Sequence, residues 1–87
     1  MTINENNNFS EEANKSIENI VRFFSRLDKK ASEIALLIAE FDKDVRLMMI
    51  RKAYESGDVE IGNRIEKANN YLTALEDLDD MKKNRIK

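Results

Sequence analysis

The sequence predicts an all-α fold, and three observations support this prediction. The 87 residues contain no proline and only two glycines, so residues that interrupt helices are scarce. Charged residues make up 37% of the chain, which suits solvent-exposed helix faces better than a sheet. Ten apolar positions also follow one another at alternating spacings of three and four, which places them on one side of a helix. These ten positions, which we call the seam, are Ile17, Ile20, Phe24, Leu27, Ala31, Ile34, Ile38, Phe41, Val45 and Met48.

The first helix is expected to run from about residue 11 to residue 55. Residues 1–9 contain four asparagines and no apolar periodicity, which predicts a disordered tail. Ser10 is a candidate N-cap because its hydroxyl can accept a hydrogen bond from the first turn. The seam keeps its phase throughout and therefore favours one continuous helix. The alternative is a break near 28–32, where polar residues interrupt the apolar pattern.

The main turn of the molecule is expected at 56–58. Gly57 suits the left-handed position that follows a helix end, and Asp58 can cap the next helix. The second helix, at about 59–84, then folds back antiparallel on the first, so that 10–87 form a single domain built as a helical hairpin. Its apolar positions are again spaced by four and three: Ile61, Ile65, Ala68, Leu72 and Leu75.

The apolar surface exceeds what this hairpin can cover. The second helix spans about half of the seam, and further apolar residues lie on the opposite face of the first helix. We therefore expect two copies to assemble into a four-helix bundle. The alternatives are a monomeric three-helix bundle that uses the break, or a helical segment of another protein in the groove. The candidate partner-binding residues are Leu36, Leu47, Ile50, Tyr54, Ile17, Ile20, Phe24 and Leu27.

The side chains needed for catalysis are scarce in this sequence. Histidine and cysteine are absent, so the usual general base and the usual transition-metal ligands are missing. The acidic run at 76–80 lacks the spacing of a calcium loop and is expected to be a solvated helix face. Glu40 and Asp44 are expected to form surface ion pairs with Lys43 and Arg46. We therefore expect no enzyme activity, catalytic residue, metal, cofactor or small-molecule substrate.

Nucleic-acid binding is the alternative function that the sequence leaves open. Arg51, Lys52, Arg64 and Lys67 flank the turn and can gather at one end of a hairpin, as in a small nucleic-acid-binding regulator. Acidic residues are interleaved with them, which makes this partner the less favoured one.

Neither a membrane span nor a secretory signal is evident in the sequence. The longest apolar run covers 34–39, whereas crossing a bilayer takes about 20 residues. The N-terminus lacks the basic stretch and apolar core of a secretory signal, so we expect a cytoplasmic protein.

The expected function is therefore that of a non-enzymatic helical protein–protein interaction module. Such an adaptor, chaperone-like protein or regulatory subunit buries an apolar helical face of itself or of a client protein. In size, acidic pI and helical-hairpin pattern, the chain resembles small bacterial or phage adaptor proteins, among them secretion chaperones that hold a helical client. This resemblance rests on architecture and not on a motif.

Overall fold

The computed structural model describes residues 9–85 of the chain, and these residues confirm the all-α class. They form four helices that pack together, without a strand in the described range. The helices are α1 (Glu11–Arg26), α2 (Ala31–Ile38), α3 (Lys43–Glu55) and α4 (Val59–Arg85). Within this range, no helix has the length and apolar character that a membrane crossing requires. The tail predicted at 1–9 lies outside the described residues except for Phe9, which packs against the core.

The prediction of one continuous helix from 11 to 55 is wrong, because three helices occupy that range. The first break follows α1 and lies near 28–32, as in the alternative prediction. Here the Asp28 N–H donates to the carbonyl of Ser25 at 3.2 Å, and the Lys29 N–H donates to that of Phe24 at 3.0 Å. Asp28 has a φ of 51°, so it occupies the left-handed position of a Schellman motif. Aspartate tolerates this conformation better than most residues, and it ends the helix without a glycine.

The second break, between α2 and α3, was not predicted. After α2 the Phe41 N–H donates to the carbonyl of Ile38 at 3.0 Å, and the extended Asp42 then begins α3 as its N-cap residue. No glycine or proline marks this corner. A side-chain contact from the start of α3 stabilises it, since the buried Arg46 guanidinium donates to the carbonyl of Phe41 at 3.0 Å.

The predicted turn residues between the last two helices are confirmed. Gly57 has a φ of 89° and follows α3 in a second Schellman motif, in which the Asp58 N–H donates to the carbonyl of Ala53 at 3.0 Å. Asp58 Oδ1 accepts a hydrogen bond from the Ile61 N–H at 3.1 Å and so caps α4. The predicted N-cap of α1 is confirmed as well, because Ser10 Oγ accepts from the Ala13 N–H at 3.1 Å.

The helices are arranged around a central pair, α3 and α4, with α1 packed mainly on α3 and α2 packed on α4. Near the start of α4, Arg64 donates at 2.7 Å to Oδ1 of Asp28, which lies just before α2. Further along α4, Glu76 accepts a hydrogen bond from Arg46, which lies just after α2 in the chain. Therefore α2 runs beside α4 in the same direction. The Cα atoms span 45 × 33 × 17 Å, so the packed helices form a thin slab.

The core contains half of the seam, even though the seam is divided among three helices. Its buried members are Ile17, Phe24, Ile34, Ile38 and Met48. They pack with residues from outside the seam, such as the fully buried Met49, and with Ile65 of α4. Because α1 and α2 fold separately against α3 and α4, one chain covers much of the apolar surface for which the sequence predicted two copies.

Candidate functional site

An open apolar groove of about 870 Å³ lies between α2 and α4, and we call it the α2/α4 groove. It is lined by Lys30, Ala31, Ser32, Ala35, Leu36, Ala39, Lys67, Ala68, Tyr71, Leu72 and Leu75. Ala35 and Ala68 are buried, whereas Leu36, Tyr71 and Leu75 are exposed, with Leu36 81% accessible. The groove therefore has an alanine floor and apolar walls that face solvent.

The groove follows from the spacing of small and large residues on the two helices. Ala31, Ala35 and Ala39 recur every four residues and so place their methyl groups along one side of α2. On α4, Tyr71 and Leu75 are also four residues apart and project beside that row of alanines. Short side chains on one helix opposite long ones on the other leave an open channel.

The charged residues that line the groove are all basic. Lys30 precedes α2 and Lys67 lies on α4, and no carboxylate belongs to the lining. The groove therefore combines an apolar floor with a positive edge. This combination favours an apolar occupant with acidic flanks.

Residues 77–85 form the C-terminal end of α4, after Glu76, and we call them the α4 arm. The described side chains at 77–82 are all exposed, including Leu78 and Met81. Leu75 follows Tyr71 by four residues, and Leu78 follows Leu75 by three. The apolar stripe of the groove therefore continues onto the arm.

Arg46 is the anchor that holds the α2–α3 corner against α4. Its side chain is buried, and its Nε donates to Asn69 Oδ1 at 2.7 Å. Nη1 and Nη2 donate to the two carboxylate oxygens of Glu76, each at 3.1 Å. These bonds hold the pKa of Glu76 below its usual range. The expectation of a surface ion pair for Arg46 is therefore wrong, because this arginine is buried against the distant helix α4.

The eight predicted partner-binding residues do not form one surface. Ile17 and Phe24 are buried in the chain's own core, which corrects their assignment, and Ile20 and Ile50 pack half-buried against it. These four side chains contribute to folding and leave little area for a partner. The exposed leucines among the eight are Leu27 at the C-cap of α1, Leu36 on α2 and Leu47 on α3. Of these three, Leu36 alone lines the α2/α4 groove.

Tyr54, the eighth residue, makes its polar contacts within the chain. Its hydroxyl oxygen lies 2.6 Å from Asn63 Oδ1 and 2.9 Å from Glu66 Oε1. The hydrogen bond to Glu66 raises the pKa of Tyr54. The ring lies directly against Gly62, where an added Cβ would come within 2.7 Å of Tyr54 Cε1. Tyr54 is thus a contact between α3 and α4.

The basic residues of the nucleic-acid alternative are mostly engaged in ion pairs. Arg51 pairs with Glu55 at 3.5 Å, and Lys52 with Glu18 at 3.2 Å. Arg64 pairs with Asp28 at 2.7 Å and with Glu60 at 2.9 Å, while Lys67 lines the α2/α4 groove. Pairing with carboxylates weakens the positive field that nucleic-acid binding requires.

A smaller cleft of about 370 Å³ lies between α1 and the α3–α4 junction. In it the Ser25 hydroxyl donates to the Asp58 carboxylate, and this bond is the main reason that the pKa of Asp58 is lowered. Lys52 and Glu18 form their ion pair in the same cleft. These contacts hold α1 against the junction. Within residues 9–85, the structure places no three histidine, cysteine or acidic side chains where they could hold a metal ion.

The sequence analysis missed the groove because it placed Leu75 on the apolar face of the second helix and Ala31 in the seam, so both were expected to be covered by packing. The available signals were the four-residue repeat of Ala31, Ala35 and Ala39 and the spacing of Tyr71, Leu75 and Leu78. No protein-family model, curated protein or solved structure matches this chain.

Proposed function

We propose that this protein is a non-enzymatic interaction module that docks an apolar helix in the α2/α4 groove. The observation that carries the proposal is the exposure of Leu36, Tyr71 and Leu75 around a floor of alanines. Adaptor, chaperone-like and regulatory proteins of the cytoplasm, the classes expected from the sequence, act through surfaces of this kind.

Burial of these side chains supplies the driving force for docking. Full burial of a large apolar side chain stabilises by about 1.5–3 kcal/mol, and Leu36 is four-fifths exposed before docking. Several such side chains can offset part of the entropy lost on association.

A helix fits the groove better than an extended segment does. Both walls are helices, whose backbone N–H and C=O groups are bonded internally, so a strand would find no edge to extend. The side-chain ridges of a docked helix can instead fill the space above the alanines, as in ordinary helix packing.

The test is an NMR titration of the ¹⁵N-labelled chain with a synthetic amphipathic helix of leucine and glutamate. We expect saturable amide shifts confined to α2 and the facing part of α4. Leu36→Asp should abolish these shifts, whereas Leu47→Asp, on α3 outside the groove lining, should leave them unchanged. Shifts that are absent at millimolar peptide, or that persist in Leu36→Asp, would refute the proposal.

A further inference from the structure

We infer that the helix docked in the α2/α4 groove belongs to another protein, runs antiparallel to α2 and α4, and carries acidic residues in its last turn. This inference rests on the proposed function and states the chemistry and direction of the partner. It follows from the distribution of charge along the groove, which is basic at one end only.

Both lysines of the lining lie at the end of the groove where α2 begins. Lys30 directly precedes α2, and Lys67 comes first among the lining residues of α4. Arg64, about one turn before Lys67, donates to the carbonyl of Lys29 at 3.0 Å. This bond holds the Lys67 turn of α4 beside the start of α2, so the two lysines form one basic end.

The positive charge of this end is not neutralised within the described part of the chain. Among residues 9–85, no carboxylate lies within ion-pair distance of the Lys30 or Lys67 ammonium group. The carboxylates close to these lysines in sequence already accept hydrogen bonds from other groups. They are Asp28, bonded to Arg64, Glu33, bonded to the Lys30 N–H, and Glu66, bonded to the Tyr54 hydroxyl.

The opposite end of the groove does not attract an anion. The lining there is apolar, and the exposed Glu40 follows its last α2 residue, Ala39. The C-terminal carbonyl groups of α2, the negative pole of that helix, also lie at this end. The positive charges of Lys43 and Arg46, which follow in α3, both act on the Glu76 carboxylate and lower its pKa.

This difference between the two ends sets the direction of a docked helix. The last four carbonyl groups of a helix have no partner within it and form its negative pole, so lysine ammonium groups bind there. Acidic side chains in the same turn add ion pairs with Lys30 and Lys67. The opposite direction would bring the positive N-terminal pole to the two lysines, which is repulsive.

The helices of this chain do not supply such a partner. The last turns of α1 and α3 contain Arg26 and Lys52, and the sequence at the end of α4 contains Lys82, Lys83 and Arg85. A second copy would therefore bring a basic helix end to the basic end of the groove. An acidic helix end points to a different protein.

The experiment compares two synthetic peptides of identical composition, both acetylated and amidated. Eight residues separate Ala31 from Ala39, about 12 Å of helix, so each peptide needs an apolar leucine face of two to three turns. One peptide has glutamates in its last turn and glutamines in its first, and the other has the reverse order. We call them the C-acidic and the N-acidic peptide.

Titrated into the ¹⁵N-labelled chain, the C-acidic peptide should bind about fivefold more tightly than the N-acidic peptide. Intrinsic helicity cannot produce this preference, because acidic residues stabilise the first turn of an isolated helix and so favour the N-acidic peptide. Circular dichroism of the free peptides measures that helicity.

Nitroxide labels test the direction of the docked helix. A label at the C-terminus of the C-acidic peptide should broaden the amide signals near Lys30 and Lys67. A label at its N-terminus should instead broaden the signals near Ala39 and Leu75, at the other end of the groove.

Charge reversal tests the role of the lysines. Lys67→Glu should remove the preference for the C-acidic peptide, because the basic end then carries a carboxylate beside Lys30. Lys15→Glu is the matched control, since Lys15 is an exposed lysine of α1 outside the groove lining and its reversal changes the net charge equally. This control should retain the preference.

Several results would overturn the inference and leave the proposed function intact. These are equal affinities, a preference for the N-acidic peptide, labels that broaden the opposite ends, a preference that survives Lys67→Glu, or one that Lys15→Glu removes. Groove signals that shift on dilution of the chain alone would identify a second copy as the occupant and also overturn it. If neither peptide binds, both the inference and the proposed function are refuted.

Discussion

Replacing Arg46 with alanine should destabilise the protein more than any substitution of an exposed ion-pair partner. Arg46 is fully buried and connects the α2–α3 corner, through the carbonyl of Phe41, to Asn69 and Glu76 of α4. Its removal leaves the Asn69 amide, itself only 4% exposed, without its partner. It also releases the α2 wall of the groove from α4.

The loss of unfolding free energy expected for Arg46→Ala has two sources. Loss of the buried aliphatic stem costs about 0.8 kcal/mol for each methylene group. A buried acceptor left unsatisfied, here Asn69 Oδ1 or the carbonyl of Phe41, costs about 1–3 kcal/mol. Together they give about 3–5 kcal/mol, a large fraction of the roughly 4–13 kcal/mol expected for a domain of this length.

The assay is urea denaturation followed by circular dichroism at protein concentrations where all variants are monomeric. Arg51→Ala is the matched control, since its guanidinium is half exposed and pairs with Glu55 one turn away. That pair should contribute only about 0.3–0.5 kcal/mol. If Arg46→Ala lowered the free energy of unfolding by less than about 1 kcal/mol, or by no more than Arg51→Ala does, the anchoring role of Arg46 would be refuted.

Three further predictions concern the α3–α4 connection. Gly57→Ala should cost about 1–2 kcal/mol in urea denaturation, because alanine is strained at a φ of 89°, and a near-neutral result would contradict this. Gly62→Ala should displace the Tyr54 ring and return the Tyr54 pKa towards its usual value in a spectroscopic titration, whereas an unchanged titration would show that the ring accommodates the methyl group. Asp58 has a lowered pKa in the fold, so its stabilisation is present above the usual carboxyl pKa and lost as pH falls through the lower folded value. Asp58→Asn keeps a capping oxygen and should flatten the dependence of the urea midpoint on acid pH, and an unchanged dependence would assign it to other carboxylates.

Local signals in the sequence correctly predicted the start of α1, the end of α3 and the start of α4. Ser10, Gly57 and Asp58 act as predicted, because a cap or a left-handed glycine works through its immediate neighbours. The end of α1 at Asp28 was only an alternative, since aspartate is a weaker signal for the left-handed position than glycine. The corner before α3 has no glycine or proline to mark it, and the Arg46 side chain that stabilises it is itself held by Asn69 and Glu76 of α4.

The candidate site was predicted less well than the core. Periodicity identified Ile34 and Ile38 as core residues, since the same face of each helix points inward whether or not the helices are continuous. Periodicity also assigned Ile17 and Phe24 to a partner, because on one straight helix they lie beyond the half of the seam that the second helix can cover. Once the chain folds at its two breaks, these side chains pack against its own α3 and α4.

The sequence by itself determined that this protein is helical, where its apolar faces lie, and where its last turn falls, because these properties depend on spacing and on local hydrogen bonds. Only the tertiary structure decided that the first half divides into three helices and that Arg46 is buried. It also decided that the alanines of α2 face Tyr71 and Leu75 across a groove. These features depend on which helices are neighbours, and residues far apart in the chain jointly determine that choice.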